Sequence, residues 1–528
     1  DSEVLFQYLV HKGIEKTLTV IKGMFAFAFF DKQSKTLFLV RDRFGIKPIY
    51  WTNRNGGLYF SSEVKAITKS TSTTVDPLKT LFSIYGDSEN LRRTSLFKDV
   101  QAIAPGTYLE YRPDGDPKVI EYFNLINSVN PDEYYAMNRM SAGAIREQFT
   151  DLMSNSVKSM LMSDCPIGAF VSGGVDSSLI STLANQFQSN VELFTANVVG
   201  KFSEIDGARL LAKTLGLQLH EYEYRPTMLL RDWVESTWHY ETPIIRHLNA
   251  IPFGNVARLA SSKGIKPVLT GEGADELFLG YPRLAIEKYR SILGLPYELL
   301  TKIYRLMPEI NKRFILEPNL ASAKFLQSIA GEDVDQKRFG AQLNEALDFL
   351  PLRLARFQKL SLIELQTHLI GLLHRNDRMG MLASIESRFP FLDEDLVSFG
   401  INLPVKWKVR PTFKIYDRKH PFFVDKFVVR NASMLRLPNT LALKKKQGFP
   451  TYGLKNISVK EEFFSSGYLS EITGLDKSQL HLLAKSTPGD TSFLGRCVSV
   501  EIFGRLFQYR QNKNDIQTDL EKFVSISV

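Results

Sequence analysis

The stretch "AFVSGGVDSSLI", Ala169–Ile180, decides the fold class of this chain of 528 residues. Its first apolar residues are typical of a buried strand, and the apolar residues after Ser178 fall at helical spacing. Small polar residues and Asp176 lie between them. In parallel sheets, ligands bind beyond the C-terminal ends of the strands, glycines allow close backbone approach, and a helix N-terminus favours an anion. The stretch therefore predicts a phosphate-binding loop, and the simpler alternative is a Gly-Ser turn with a polar N-cap.

The chain around this loop alternates between strand-like and helix-like patterns. A helix is predicted from Ser141 to about Met162, directly before the quoted stretch. The segments "LFTANVV", "QLHEYEY" and "KPVLT" predict further strands, and "SEIDGARLLAKTLG" predicts a helix with Gly216 as its C-cap. This alternation predicts an α/β fold with a doubly wound parallel sheet that helices cover on both faces. From about residue 285 to 510 the pattern is mainly helical.

Residues 1–125 carry a different pattern. The runs "GMFAFAFFD", "TLFLVRD", "KPIYW" and "GLYFSSE" are short and apolar or alternating, and turn-like segments separate them. They predict a β-rich unit of antiparallel hairpins. The segment "NSVNPDEYYAMNRMSAGA" predicts a linker, because Asn, Ser and Pro punctuate it. We therefore expect two domains, at residues 1–125 and 141–515.

The composition argues against several classes of protein. No apolar run approaches the roughly 20 residues that span a bilayer. The chain's two cysteines, Cys165 and Cys497, argue against a disulfide framework and favour a reducing compartment. The net charge of +9 comes from Lys and Arg scattered among 57 acidic residues. We therefore expect no membrane and no nucleic-acid partner, and a tRNA-modifying protein stays open as an alternative.

A second loop, "VLTGEGADELFLGY", follows another predicted strand. It places Glu272, Asp275 and Glu276 among glycines. An acidic loop facing a phosphate loop is costly unless a metal ion or a general base is needed there. Asp176 would likewise repel a bare phosphate, but it could hold Mg²⁺ that in turn holds the phosphates. The alternative is a solvated acidic turn, which the apolar neighbours of this loop disfavour.

These segments resemble the PP-loop ATP pyrophosphatases, and most closely the glutamine-dependent asparagine synthetases. "SGGVDSS" is similar to the pyrophosphate loop of that family, and "TGEGADELFLGY" to its second loop. "DRMGMLASIESRFPFLD" and "KKKQGFP" resemble its later motifs. "GMFAFAFFD", "RDRFGIKPIYW" and "FSSEVKA" resemble the second half of its glutaminase domain. The resemblance implies a truncated, β-rich Ntn-type glutaminase half-domain, then a PP-loop synthetase domain with a helical C-terminal part.

The resemblance also implies a reaction: ATP-dependent amidation of aspartate to asparagine through β-aspartyl-AMP, with release of AMP and pyrophosphate. The implied ligands are ATP, Mg²⁺, aspartate, and ammonia or glutamine, and the family also suggests a cytoplasmic homodimer. The implied nucleotide site comprises Val171, Ala196, Thr270 and Gly271. The implied pyrophosphate site comprises Ser172, Gly173, Gly174, Ser177, Ser178 and Lys446. The implied Mg²⁺ ligands are Asp176 and Asp275.

Two further residues carry open alternatives. Glu272 matches the family residue that is important for forming and using the adenylate, where a carboxylate can take the extra proton of attacking ammonia. The alternative for Glu272 is an acceptor that only structures its loop. Arg388 could bind the substrate carboxylate by a two-pronged contact, or it could form a buried structural salt bridge.

The sequence departs from the family at its first residue. Glutaminase domains of this family begin with a nucleophilic Cys, whereas this sequence begins with Asp1, which resembles a residue that contacts the amino-acid head of glutamine. Neither Cys165 nor Cys497 is placed to supply that nucleophile. We therefore expect no glutamine hydrolysis by this chain as written. Its nitrogen would come from ammonia, or from glutamine in a longer protein.

The acceptor acid also has an alternative. Relatives of the family amidate sugar carboxylates or close lactam and peptide rings. Glu272 within "GEG" favours asparagine formation, whereas "PIIRHLNAIP" at Pro243–Pro252 departs from the usual family sequence near the substrate pocket. Another acid acceptor therefore stays open.

Overall fold

The computed structural model describes residues 1–85, 95–199, 203–245, 247–281, 284, 288, 334–412, 423–446, 457–486 and 493–526. The first 123 residues contain two small antiparallel sheets and flanking helices. Their elements are α1 (Ser2–Val20), β1 (Ala26–Asp31), β2 (Thr36–Arg41), β3 (Tyr50–Arg54), β4 (Gly57–Ser61), α2 (Val64–Thr71), α3 (Pro77–Tyr85), β5 (Gln101–Ala102), β6 (Thr107–Tyr111) and β7 (Lys118–Glu121).

The two antiparallel sheets have the strand orders β1-β2-β6-β7 and β4-β3-β5. Alternation along β2 gives its sheet two buried faces. Leu39 pairs with Leu109 of β6, and both are buried on one face. Val40 pairs with Tyr108 and packs on the other face with Leu18 of α1. The predicted antiparallel hairpins are therefore confirmed.

Helix α1 precedes the strands of the β-rich unit, and the sequence patterns did not predict it. Asp1 caps this helix by accepting a hydrogen bond from Ser2 N at 2.7 Å, and Gly13 kinks it with a φ of 75°. Its apolar residues Val4, Phe6 and Tyr8 lie exposed, whereas Leu9 and Leu18 are buried.

The rest of the chain contains a parallel sheet and many helices. Up to residue 281 the elements are α4 (Pro131–Arg139), α5 (Ala142–Met160), β8 (Gly168–Phe170), α6 (Val175–Phe187), β9 (Glu192–Val198), α7 (Ile205–Leu215), β10 (Leu219–Tyr224), α8 (Met228–Tyr240), α9 (Ala250–Ser262), β11 (Pro267–Leu269) and α10 (Ala274–Phe278). From residue 334 they are α11 (Val334–Ala346), α12 (Leu352–Gln366), α13 (His368–Met381), β12 (Glu386–Arg388), α14 (Glu394–Asn402), α15 (Val405–Lys408), β13 (Arg410–Pro411), β14 (Phe423–Val424), α16 (Phe427–Ser433), α17 (Asn439–Ala442), β15 (Ile457–Val459), α18 (Tyr468–Thr473), α19 (Lys477–Ser486), α20 (Phe493–Phe507), α21 (Lys513–Phe523) and β16 (Val524–Ile526). Short 3-10 helices lie at Leu125–Ser128, Pro390–Leu392 and Glu461–Phe464.

Helices predominate in the described ranges after residue 333, and the predicted helical pattern at 289–333 lies outside the described residues. None of the helices in the described ranges is long and apolar enough to cross a bilayer.

The five-stranded sheet has the order β10-β9-β8-β11-β12, and its pairs are parallel. From β8 the chain moves to one side, through β9 to β10, and then crosses to β11 on the other side. The direction of winding therefore reverses between β8 and β11, and such a switch point opens a crevice at the C-terminal edge of the sheet. The predicted doubly wound α/β fold is confirmed, and the two glycine-containing loops leave the sheet at this crevice.

The segment predicted as a linker contains helix α4. Asn130 caps the helix by accepting from the amides of Asp132 and Glu133, and Pro131 occupies its first turn. Asn and Pro therefore mark a helix start here rather than an irregular connection. Tyr134 and Met137 of this helix are buried in the same core as the parallel sheet.

The β-rich unit contacts the part of the chain that contains the parallel sheet through a buried carboxylate. Glu241, at the end of α8, accepts hydrogen bonds from the amides of Val64 at 3.0 Å and Lys65 at 2.8 Å. Arg378 of α13 approaches the same carboxylate at 3.0 Å and donates to the carbonyl of Ser62 at 2.6 Å. These contacts connect α13, which also lines the crevice, to the β-rich unit.

Candidate active site

A cavity of about 550 Å³ lies at the C-terminal edge of the parallel sheet. Residues from both glycine-containing loops, from β9 and from α9 and α13 line it. The sequence-predicted residues in its wall are Val171, Ser172, Asp176, Ser177, Ala196, Thr270, Gly271, Glu272, Asp275 and Lys446. Gly173, Gly174 and Ser178 shape the first loop without appearing in the wall. One cavity therefore brings together the two loops and the late basic residue, and the predicted basic loop beyond Lys446 lies outside the described residues.

The first loop needs glycine where it turns. Gly173 has a φ of +66°, and a Cβ there would overlap the backbone of Gly207 at the start of α7. The Gly174 amide donates to Ser172 Oγ at 3.3 Å, and α6 begins at the next residue. Ser178 Oγ is fully buried and has no hydrogen-bond partner among the described residues. The first turn of α6 therefore presents amides and a hydroxyl of the kind that bind phosphate oxygens.

The second loop packs directly against the first. Thr270 N donates to Arg388 O at 2.9 Å, which extends the sheet pairing by one residue. A Cβ at Gly271 would lie 3.2 Å from the Cβ of Asp176, so glycine allows the two loops to touch. Gly273 has a φ of +93° and would collide with Leu392 if it carried a side chain. The glycines therefore bring the carboxylates of the two loops close together.

Two lysines neutralise those carboxylates. Lys426 Nζ lies 2.6 Å from Asp176 Oδ2 and 2.8 Å from Asp275 Oδ1. Lys446 Nζ lies 2.7 Å from Asp275 Oδ2. The side chain of Lys426 is only 1% exposed, so this cluster is isolated from bulk water. The cluster is balanced, with two acidic and two basic groups, at one end of the cavity.

Charge and burial compete in setting the protonation of this cluster. Burial raises the pKa of Asp176, and the nearby charge of Asp275 adds to that effect. Burial acts on Asp275 too, but the ammonium groups of Lys426 and Lys446 together hold its pKa well below the ordinary value. The pKa of Lys446 is raised despite its burial, because Asp275 and Asp176 stabilise its charge. Asp275 and Lys446 are therefore charged at neutral pH.

The two loop carboxylates also suit a magnesium ion. Asp176 Oδ1 is buried, and none of the described groups donates a hydrogen bond to it. Mg²⁺ prefers one or two carboxylates together with water and substrate phosphates. The described ranges hold no cluster of three or more acidic, His or Cys side chains that could bind a metal alone. Asp176 and Asp275 therefore fit a metal that arrives with a phosphate ligand.

Glu272 also lines the cavity and is paired with an arginine. Arg375 of α13 donates from Nη2 to Glu272 Oε1. The Arg375 side chain is 6% exposed, whereas that of Glu272 is 25% exposed. Arg375 also lies over the ring of Phe253 in α9, with 5.3 Å from its Cζ to the ring centroid. The pair holds a carboxylate at the cavity surface with its second oxygen unbonded by any described residue.

Glu276, the third acidic residue of the second loop, lies beneath the cavity. It accepts hydrogen bonds from Gly273 N at 3.1 Å and from the hydroxyl of Tyr281, which lines the cavity. Burial, reinforced by the charges of Asp275 and Glu272, raises the pKa of Glu276 to about 8. Glu276 therefore remains protonated near neutral pH and positions the loop.

Arg388 and Asp1 lie outside the cavity wall. Arg388 Nη1 donates to the carbonyls of Met160 at 2.7 Å and Met162 at 2.8 Å, and its Nε donates to Glu386 at 2.9 Å. The guanidinium is thus bound to carbonyls at the end of α5, and a substrate contact of Arg388 stays a prediction. Asp1 is exposed at the start of α1, and its glutamine-binding role stays a prediction.

Sequence reasoning missed two residues of the site, Lys426 and Arg375. Lys426 lies in "FVDKFVV", where a lysine inside an apolar run indicates a buried cation that needs an acidic partner. Arg375 and Arg378 stand one helical turn apart in "LLHRNDRMGM", a pattern that alone does not identify their partners.

Comparisons with known proteins agree with this geometry. A family model described as asparagine synthase matches residues 148–484, and one described as a glutamine amidotransferase domain matches residues 1–123. The chain is 28% identical over 484 residues to asparagine synthetase [glutamine-hydrolyzing] 1 of Bacillus subtilis, covering 86% of this chain and 72% of that protein. It is 29% identical over 490 residues to a putative asparagine synthetase of Mycobacterium tuberculosis, covering 85% and 70%. It is 25% identical over 489 residues to the amidase chyE of Penicillium rubens, covering 82% and 70%.

The asparagine synthase model covers more than half of the chain, and it spans both cavity loops, Arg375 and Lys446. The loops that carry the motifs are also the loops that meet in the cavity. The chain therefore belongs to the asparagine synthase family.

Proposed function

We propose that this chain activates aspartate with ATP and transfers ammonia to the activated acid, forming asparagine, AMP and pyrophosphate. One observation carries the proposal: residues of a lysine-compensated carboxylate pair and of the Glu272–Arg375 pair line a single cavity. The first arrangement suits a magnesium-bound polyphosphate, and the second suits proton transfer at an acyl group.

The nucleotide would occupy the crevice between the two loops. The turn at Gly173 and the first turn of α6 would hold the β- and γ-phosphates, with Ser172 and Ser177 as hydroxyl donors. Asp176 and Asp275 would hold Mg²⁺, which when bound neutralises the phosphates and polarises the bond to the leaving pyrophosphate. The apolar wall near Ala196 and Val198 would accept the adenosine part.

In the first step, a β-carboxylate oxygen of aspartate attacks the α-phosphorus of ATP. A new O–P bond forms, the bond between the α-phosphorus and the bridging oxygen breaks, and pyrophosphate leaves with that oxygen. Lys446 and Lys426 would stabilise the charge that grows on the leaving group, because preorganised cations act strongly in a site shielded from water. The product is β-aspartyl-AMP.

In the second step, ammonia attacks the acyl carbon of that intermediate. The nitrogen carries an extra proton, which Glu272 would accept while Arg375 keeps its carboxylate in place. The C–O bond to AMP then breaks, and AMP leaves with one oxygen of the original carboxylate. The ammonia would be released from glutamine by an amidotransferase unit, or it would be taken up directly.

The test supplies the chain with ATP, Mg²⁺, aspartate and ammonium, and measures asparagine, AMP and pyrophosphate. We expect the three products in equal amounts, and none without aspartate. Release of ADP and phosphate in place of AMP and pyrophosphate would contradict the proposal.

A second candidate keeps the chemistry and changes the acid. The amidase among the relatives supports it, and so does the position of His247 in the cavity wall, because His247 comes from the segment that departs from the usual family sequence. A panel of acids that replaces aspartate in the same assay separates the two. Asparagine formation with turnover at least about tenfold above every other acid supports the first.

A further inference from the structure

The part of the cavity beside Glu272 has its own wall, which we call the acceptor wall and define as Glu272, Arg375, Phe253 and Asn249. Contacts join its members in order. Arg375 pairs with Glu272, the guanidinium lies over the Phe253 ring, and Phe253 N donates to Asn249 O at 3.0 Å in the first turn of α9. All four line the cavity.

Two polar atoms of the acceptor wall lack partners among the described residues. Arg375 is 5% exposed, and its Nε donates no hydrogen bond. Asn249 Oδ1 is buried and accepts none. Buried polar atoms are nearly always satisfied, so each unpaired atom in a native cavity needs an explanation.

Asn249 has an ordinary structural use that it does not take. It is the residue directly before α9, where Asn side chains commonly cap the helix, but its side chain makes no capping hydrogen bond. Its carboxamide oxygen is instead left unbonded in a residue that lines the cavity. A ligand that donates a hydrogen bond to Oδ1 would explain this arrangement.

We infer that Asn249 determines acceptor specificity by binding the α-ammonium group of an amino-acid substrate, an inference that rests on the proposed function. Of the two atoms without partners among the described residues, Arg375 Nε is a hydrogen-bond donor and Asn249 Oδ1 is an acceptor. Arg375 Nε matches a carboxylate oxygen, and Asn249 Oδ1 matches an ammonium group, which are the two ends of a free α-amino acid. An α-amino acid with a side-chain carboxylate satisfies both atoms.

The test compares aspartate with succinate, which lacks only the α-ammonium group, in wild type and in the Asn249→Ala variant. Pyrophosphate release without ammonia reports acid activation. In wild type we expect kcat/KM for aspartate to exceed that for succinate by about 10- to 100-fold, the range for losing a hydrogen bond to a charged group. In Asn249→Ala we expect that preference to fall to within about threefold, with KM for ATP unchanged. Asn249→Asp keeps the acceptor oxygen and should keep the preference for aspartate.

The controls separate the possible failures. Asn185→Ala removes an amide that binds the Leu215 carbonyl outside the cavity wall, and it should keep the wild-type preference. Equal use of aspartate and succinate by wild type, or a rise in KM for ATP in Asn249→Ala, overturns the assignment but leaves the proposed function standing. Faster use of glucuronate than of aspartate overturns the amino-acid assignment in favour of a sugar acid. If none of these acids leads to pyrophosphate release, the proposed function and the assignment are both overturned.

Discussion

Helix α13 carries two buried arginines one turn apart, and their carboxylate partners differ. Arg378 pairs with Glu241, which is 2% exposed and also accepts hydrogen bonds from the amides of Val64 and Lys65. Arg375 pairs with Glu272, which is 25% exposed, lines the cavity and has one oxygen unbonded by the described residues. Glu241, whose two oxygens both accept hydrogen bonds, joins two parts of the fold. Glu272, which has one oxygen without a hydrogen bond from the described residues and lines the cavity, is available for chemistry.

The largest effect is expected when the ion pair of Glu272 and Arg375 at the cavity is broken. Glu272→Gln keeps the shape of the side chain but removes the proton acceptor, so we expect asparagine formation to fall by about 10²- to 10⁴-fold. The loss of stability should be smaller than for the matched change at Glu241, because Glu272 is 25% exposed to water whereas Glu241 is 2% exposed. Steady-state asparagine assays and thermal unfolding measure the two quantities. Activity within tenfold of wild type would contradict the role of Glu272.

The matched change at the other pair should act on stability. Glu241→Gln leaves Arg378 without a full counter-charge in a buried site, and breaking buried ion pairs costs about 3–5 kcal/mol. We expect a clear fall in the free energy of unfolding, measured by denaturant titration. The folded fraction should retain kcat within about threefold of wild type. A stable Glu241→Gln variant with lost activity would reverse the comparison.

A third variant extends the comparison to the lysine-compensated carboxylates. Asp176→Asn removes one of the two proposed Mg²⁺ ligands, so we expect ATP binding to weaken by about 10- to 100-fold in the presence of Mg²⁺. Without Mg²⁺, the variant should bind ATP at least as tightly as wild type, because it lacks a carboxylate that repels bare phosphate. Isothermal titration with and without Mg²⁺ gives both values. An equal loss of affinity under both conditions would argue against a metal at Asp176.

The smallest effect concerns Glu276. Its pKa in the folded chain is about 8, above the ordinary 4.5, so between these values the folded chain keeps a proton that the unfolded chain releases. Stability should therefore decrease as the pH rises from about 4.5 to 8 and level off above that window. Glu276→Gln removes this dependence of stability on pH. The melting temperature of the variant minus that of wild type should therefore increase by about 2 °C or more when the pH is raised from 5.5 to 8. If the melting temperatures of the two proteins changed equally with pH, the protonated state of Glu276 would be contradicted.

The sequence allowed the fold to be predicted wherever its signal was local. Strand and helix periods between Ser141 and Leu269 identified the parallel sheet, because alternation and helical spacing are set by neighbouring residues. The strand signals quoted for residues 1–125 begin at Gly23, so they gave no prediction for α1. Val4, Phe6 and Tyr8 lie exposed on this helix, so burial imposes no clear period on its sequence.

The site could be predicted only where its residues share a loop. Asp176 and Asp275 each follow a strand end, so their motifs placed them at one edge of the sheet. Lys426 is 250 residues from Asp176, and Arg375 is 103 residues from Glu272, so no sequence period links either pair. Asn249 is distinguished by an unpaired oxygen, a property that exists only in the folded chain.

The central claim is that the two loops direct a carboxylate oxygen onto the α-phosphorus of ATP. The most direct measurement supplies aspartate labelled with ¹⁸O in its side-chain carboxylate, together with ATP, Mg²⁺ and ammonium, and determines the mass of the AMP that is formed. The account predicts one ¹⁸O atom in each AMP and one in each asparagine. Unlabelled AMP, or label found in inorganic phosphate, would contradict it.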